Sequence, residues 1–223
     1  MNIAKLPSPN HSKGRNGHKP IMIVSHITEG NYNGAVSWLR NPQSQASSHF
    51  VVSKTGHITQ LVDIKDTSWC NGTTVRPNDN RYYGLSTLPL VRQKKTNANY
   101  YTVTIEHEGF FGQGGGKLTN AQFKATVELH KHIISEVKRI YGVDIPIDRN
   151  HIVGHYQINP RTKPNCPGHN FPFDELIKEL KKDDIKLIIN NKPTDMELKL
   201  ESGRTYVKLK TDIGSAWVQV KEL

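Results

Sequence analysis

A mixed β-sheet covered by helices, followed by a small β-rich unit, is the fold class the sequence predicts. Three observations carry this expectation. The short apolar, β-branched run IMIVSHIT at 21–28 reads as a buried strand, and YYTVTIEH at 100–107 alternates as a strand does. Between and after them come longer stretches with helical spacing, and strands interleaved with helices imply a sheet with helices packed on it. After Lys182 the pattern turns to short alternating segments separated by Asn, Ser and Gly, the look of a small all-β unit.

Taken in order, residues 1–20 are polar and basic and read as an extended arm. The run 21–28 is a strand that carries His26 near its end. NGAVSWLR (33–40) is a short helix stopped by Asn41-Pro42, because a residue before proline is pushed out of the helical region. Residues 47–53 and 57–63 flank Lys54-Thr55-Gly56 and read as a β-hairpin. Residues 70–99, with Pro, Asn and Gly scattered through them, read as a long loop. FFGQGGGK after the 100–107 strand reads as a flexible turn. The longest helix runs from 118 to 141, capped by Thr119 or Asn120, with Phe123, Val127, Ile134, Val137 and Ile140 on its apolar side. FPFDELIKELKK (171–182) closes a first domain of residues 1–182. Residues 186–223 form the second; about 40 residues are marginal for an independent core, so this unit either packs on the first domain or pairs with a second copy, and it is expected to bind a surface or to dimerise.

Composition narrows the function. The formal charge of +10 favours polyanionic partners. No zinc-finger pair, RNP-like strand or helix-turn-helix pattern accompanies it, so nucleic acid is not expected. No window approaches the roughly 18 apolar residues of a spanning helix, and mean hydropathy is -0.60, so membrane insertion is not expected either. The N-terminus lacks the apolar core of a secretory signal, which implies synthesis in a cytoplasm. The only two cysteines, Cys70 and Cys166, are no disulfide framework.

The chemistry concentrates at HIVGHYQINPRTKPNCPG (151–168). His155 and Cys166 are separated by a Pro- and Asn-rich loop that also carries Arg161 and Lys163. With His26 they make a three-ligand set that leaves room for water, the arrangement of a catalytic zinc site rather than a closed structural one. Taken singly, each reads equally well as a core or surface residue. Such a site also needs a carboxylate base and a group to steady an oxyanion.

Four blocks then share an order and spacing with a known family. IVSHIT (23–28), SSHFVVSKTGHITQLVDIKDTSW (47–69), TIEHEG (104–109) and IVGHYQINPRTKPNCPG (152–168) together resemble the type 2 N-acetylmuramoyl-L-alanine amidases, zinc enzymes related to peptidoglycan recognition proteins and to many phage endolysins. The resemblance covers about residues 20–175. It implies one Zn²⁺ held by His26, His155 and Cys166, Glu106 as the catalytic carboxylate, and Lys163, with Arg161 in reserve, as the oxyanion's cation. It further implies substrate contacts at His49, Trp69 and Arg161, with His49 more of a supporting residue than a ligand. Peptidoglycan becomes the expected substrate and the MurNAc lactyl–L-alanine amide the expected bond, cut in a Gram-positive wall after release from the cytoplasm. Anionic wall polymers account for the positive charge. A non-catalytic peptidoglycan-binding module of the same fold is the alternative, which Cys166 and Glu106 disfavour. The chain departs from the family at three places. Pro164 stands where the family's lysine is usual, Ser48 replaces a tyrosine found in some members, and Trp69-Cys70-Asn71-Gly72 stands for Trp-His-Ala-Gly. Cys70 reads as an ordinary thiol, and His57, His130, His132 and His169 as surface or loop residues.

Overall fold

The computed structural model describes residues 1–112 and 115–182, and then 187–189, 192–194, 197–201, 204–211 and 214–220. Gln113 and Gly114 of the expected flexible turn lie outside these residues, as do Asn190, Asn191, Ser202, Gly203 and Ile213 of the expected tail turns.

The chain divides into two compact units, Met1–Lys181 and Lys182–Leu223. In the first, the strands are β1 (Ile3–Lys5), β2 (His11–Ser12), β3 (Met22–Ile27), β4 (Phe50–Val52), β5 (Ile58–Gln60), β6 (Thr67–Ser68), β7 (Thr102–His107) and β8 (Ile152–Gly154). The helices are α1 (Tyr32–Arg40), α2 (Pro89–Lys94), α3 (Asn120–Tyr141), α4 (His155–Ile158) and α5 (Phe173–Leu180). Six strands form one sheet in the order β1-β5-β4-β7-β3-β8, and β2 pairs with β6 apart from it. Only the β4–β5 hairpin is antiparallel in the large sheet, so it is mixed, as expected. The second unit holds the antiparallel pair β9 (Leu187–Ile189) and β10 (Lys192–Thr194), and the antiparallel order β11 (Glu197–Glu201), β12 (Arg204–Thr211), β13 (Gly214–Val220).

Strand alternation decides what each face of the sheet meets. Ile23, Val103 and Ile105 point to one side, where they pack with Phe50 and with Leu129, Ile133 and Val137 of α3. Met22 and Val24 point to the other, against Leu88, Val91, Ala98 and Tyr101. Residues 70–99 are therefore not simply a loop, because they contain α2 and cover the second face of the sheet. The polar spacing hides three apolar anchors that are each buried. Helix α3 starts at the Thr119 cap, whose hydroxyl accepts the Gln122 N–H at 3.1 Å, and ends at Gly142 with φ +64°. Its buried side includes the expected Val127 and Val137 and also Leu129, His130 and Ile133, while Phe123, Ile134 and Ile140 pack partly buried beside them.

The N-terminal residues are no free arm. β1 extends the sheet beside β5, and Arg15 is buried. Its guanidinium donates to the carbonyls of Ile64 at 2.7 Å, Tyr100 at 3.2 Å and Thr102 at 3.0 Å. Lys13 and the Gly14 N–H both reach Asp66, at 2.9 Å each. A basic composition thus serves as a staple across strand ends rather than a solvated tail.

His130 is also not a surface residue. It is fully buried, its Nδ1 lies 2.8 Å from the Thr126 carbonyl, and burial pushes its pKa down to about 4. An unfolded histidine titrates near 6.5, so between those values the unfolded chain binds the extra proton and stability falls as pH falls. The loss expected from about pH 6.5 to about pH 4 is roughly 3 kcal/mol. Chemical denaturation across that window checks this, and His130→Leu should flatten the acid limb.

Candidate active site and metal centre

Three neighbouring parallel strands deliver the site. The register of β3 and β7 pairs His26 with Glu106, and that of β3 and β8 pairs Ser25 with Gly154, so His155 follows at the level of His26. Residues paired across parallel strands share a face, so imidazole and carboxylate emerge side by side at the carboxyl ends of the strands. Ligand crevices of α/β sheets lie at such ends. The sequence order alone showed the blocks; the register shows why they meet.

Cys166 comes in on the loop after α4. Its carbonyl accepts the Tyr156 N–H at 2.9 Å and its own N–H reaches the Lys163 carbonyl at 3.3 Å, which folds the loop back over His155. The Cys166–Pro167 peptide is cis. Gly168 has φ +119°, and a Cβ there would stand 2.1 Å from the Gly115 carbonyl oxygen. Only glycine permits that approach, which explains the Pro-Gly that follows the cysteine.

The donor atoms of His26, His155 and Cys166 all lie within 4.8 Å of one another. His26 Nδ1 is 3.9 Å from Cys166 Sγ, and the two imidazoles stand edge to face with centroids 4.5 Å apart. Donors around a tetrahedral zinc stand roughly 3.3–3.8 Å apart, given Zn–N near 2.0–2.1 Å and Zn–S near 2.3 Å. The set therefore needs only a small closure. Burial keeps the imidazoles neutral, with His26 well below its ordinary value and His155 at about 3, so both can offer lone pairs. Burial first and Glu106 second push the Cys166 thiol up to about 12. Both cysteines are free.

Glu106 Oε1 stands 4.0 Å from His26 Nδ1, and its Oε2 is buried with no hydrogen-bond partner among the described residues. Burial raises its carboxyl to about 7, while Lys163 and Cys70 pull the other way. A buried carboxylate left half-satisfied next to three soft donors is what a divalent cation would relieve, so the residues fit zinc. Glu108 has a different job, accepting the Lys54 N–H at 2.7 Å.

These groups line a cleft of about 340 Å³ with Glu29, Trp69, Cys70, Phe111 and Lys163. Two expected contacts are not there. Arg161 is exposed and does not line the cleft, which leaves Lys163 as the loop's cation facing it. His49 is fully buried, its Nδ1 accepting the Thr104 N–H at 3.1 Å and its Nε2 lying 2.9 Å from Arg15 Nη2 and 3.2 Å from the Asp66 carbonyl. It supports the sheet beneath the cleft and touches nothing that enters it. Conversely, Glu29 and Phe111 line the cleft without having been singled out, and so does Cys70, which the sequence reads as an ordinary thiol. Cys70 had one signal, its place directly after Trp69 within a family block.

Residues 16–169 match the profile of a family described as N-acetylmuramoyl-L-alanine amidase. The chain belongs to that family. Among curated relatives, N-acetylmuramoyl-L-alanine amidase A of Achromobacter lyticus is 30% identical over 127 residues, 56% of each chain. The 1,6-anhydro-N-acetylmuramyl-L-alanine amidase AmpD of Haemophilus influenzae is 27% identical over 139 residues, 62% of this chain and 61% of that protein. The match thus spans a little over half the length of these amidases. A crystal structure of an AmpD derivative has the same fold, with a TM-score of 0.57 at 18% identity, covering 80% of this chain and 94% of that one. The amidase-family match takes in Glu106 and all three candidate ligands.

Proposed function

We propose that the chain is a zinc amidase that hydrolyses the bond between the MurNAc lactyl group and L-alanine in peptidoglycan. The observation that carries this reading is the buried, half-satisfied Glu106 beside the His26–His155–Cys166 donor set. A recognition module that only binds has no use for a desolvated carboxylate, which costs stability unless it is used.

When bound, zinc supplies Lewis acidity toward the amide carbonyl and toward a water. Glu106 takes the proton of the attacking water and delivers it to the leaving alanine nitrogen, a task suited to a carboxyl held near neutral pH. Lys163, on the cleft wall, faces the negative charge that develops on the carbonyl oxygen. Trp69 and Phe111 offer apolar walls to the substrate. The remaining assignments complete the proposal: a Gram-positive wall reached after release from the cytoplasm, an endolysin-type role, and residues 186–223 as a wall-binding or dimerising unit. The excess positive charge suits anionic wall polymers.

The test is digestion of purified Gram-positive and Gram-negative peptidoglycan with and without a chelator, followed by zinc re-addition. Chelator-sensitive release of new alanine amino groups without new reducing sugar is the expected result. New reducing ends would mean that a glycosidic bond is cut, and intact walls with tight binding would point to the recognition module.

A further inference from the structure

Cys70 is drawn into the site more closely than a spectator thiol needs to be. Its Sγ lies 3.4 Å from His26 Nε2 and 3.8 Å from Glu106 Oε1. The other nitrogen of the same ring, Nδ1, faces Cys166 Sγ at 3.9 Å. His26 therefore stands between two sulfurs, one on each ring nitrogen. Cys70 is fixed in place from behind. Asn99 Oδ1 accepts the N–H groups of both Cys70, at 3.3 Å, and Asn71, at 2.9 Å, and Asn71 Nδ2 donates to Thr102 Oγ1 at 3.2 Å.

A neutral imidazole has one N–H and one bare nitrogen, and only the bare one can hold a metal. Which nitrogen is bare depends on what the other one meets. A carboxylate is a strong acceptor, so the Cys70 S–H is directed at Glu106 Oε1. The sulfur lone pairs are then free to accept the Nε2–H of His26, and Nδ1 is bare toward Cys166. The reverse arrangement, with the thiol donating to Nε2, would put the ring proton on Nδ1. It would also take from Glu106 Oε1 the Cys70 S–H.

We propose, resting on the zinc-centre reading, that Cys70 is a positioning residue of that centre. Its sulfur accepts the Nε2 proton of His26 and so presents His26 Nδ1 to the metal, and the same thiol links this ligand to Glu106. The position occupied by histidine in the family's Trp-His-Ala-Gly block is thus put to use in this chain as an outer partner of a ligand.

The experiment is zinc affinity of the metal-free, full-length chain, measured by competition with a chromogenic chelator, for the wild type, Cys70→Ala, Cys70→Ser and Cys166→Ala. Cobalt(II) spectra and melting of each metal-free chain accompany it. Loss of an outer-shell partner typically costs about 10–100-fold in metal affinity, and that is the expected deficit of Cys70→Ala. Its metal-free melting point should not move, and serine, whose hydroxyl can accept the same proton, should recover most of the affinity. The thiolate-to-cobalt band should survive in Cys70→Ala and vanish in Cys166→Ala. Undiminished zinc affinity in Cys70→Ala, or Cys70→Ser binding no better than Cys70→Ala, overturns the proposal. A cobalt band that depends on Cys70 instead of Cys166 also overturns it, by making Cys70 itself a ligand. A wild type that takes up no zinc sinks the zinc-centre reading first, and is recognised because all four chains then behave alike.

Discussion

Glu106→Gln is expected to lower turnover on purified peptidoglycan by about 10²–10⁴-fold, the usual worth of a positioned general base. Zinc content should stay at the wild-type level, because the three donors are elsewhere. The same change should stabilise the metal-free chain at alkaline pH. In the folded protein the Glu106 carboxyl is raised to about 7 by burial, whereas an unfolded glutamate titrates near 4.5. Between those values the folded state holds the extra proton, so stability falls as pH rises through the window, by roughly 3 kcal/mol in all. A glutamine has no such proton to lose. The variant should therefore melt higher than the wild type at pH 8, without metal, while turning over far more slowly. Activity measured by release of alanine amino groups, and melting measured on the chelated protein, check the two halves separately. A variant that keeps its turnover would remove Glu106 from the mechanism, whatever its stability.

How much of this was legible in the sequence follows from the physics of each element. β3 declared itself as a dense apolar, β-branched run of a strand covered on both faces, and β7 by the alternation of Val103 and Ile105 with polar residues. The donor set could be read only through the four family blocks taken together, because His26, His155 and Cys166 each read equally well alone as core or surface residues. The N-terminal residues were not legible. Their strands are two and three residues long, too short for any alternation, and their anchor is a buried arginine satisfied by backbone carbonyls. Composition counts that residue as solvated charge. His130, read as a surface or loop residue, failed for a related reason, whereas His49, read as more of a supporting residue than a ligand, lies buried beneath the cleft. A buried neutral histidine looks in the sequence like a functional or an exposed one, and only its partners, Thr104 and Arg15 in one case and the Thr126 carbonyl in the other, tell them apart. Thr104 also shows what alternation hides. Thr102, Thr104 and Glu106 share one face of β7, and the two threonines bond to Asn71, Ser48 and Ser68 in a buried polar column that ends at Glu106. The pairing of Cys70 with His26 could not be read at all, because it depends on how the loop after β6 crosses the end of β3.

Zinc uptake at pH 8 should release close to one more proton from the wild type than from Cys166→Ala. His26 and His155 are already neutral, since burial holds both far below their ordinary value, so neither has a proton to give. Glu106, at about 7, is largely ionised at pH 8. Cys166 is different: burial and the nearby carboxyl hold its thiol at about 12, yet a coordinating sulfur must be a thiolate. Its proton must leave when the metal arrives. Calorimetry of zinc binding in buffers of different ionisation enthalpy counts that proton directly. Removing the sulfur should also weaken zinc by more than the roughly 10–100-fold typical of an outer-shell partner, and hydrolysis of peptidoglycan should fall to background. Release of no proton by the wild type would mean that Cys166 stays a thiol and that the third ligand lies elsewhere. Because a thiol near 12 resists deprotonation, the proton release also implies that apparent zinc affinity rises with pH from 6 to 9 in the wild type. Cys166→Ala should show a shallower slope than the wild type, because no thiol proton then has to leave.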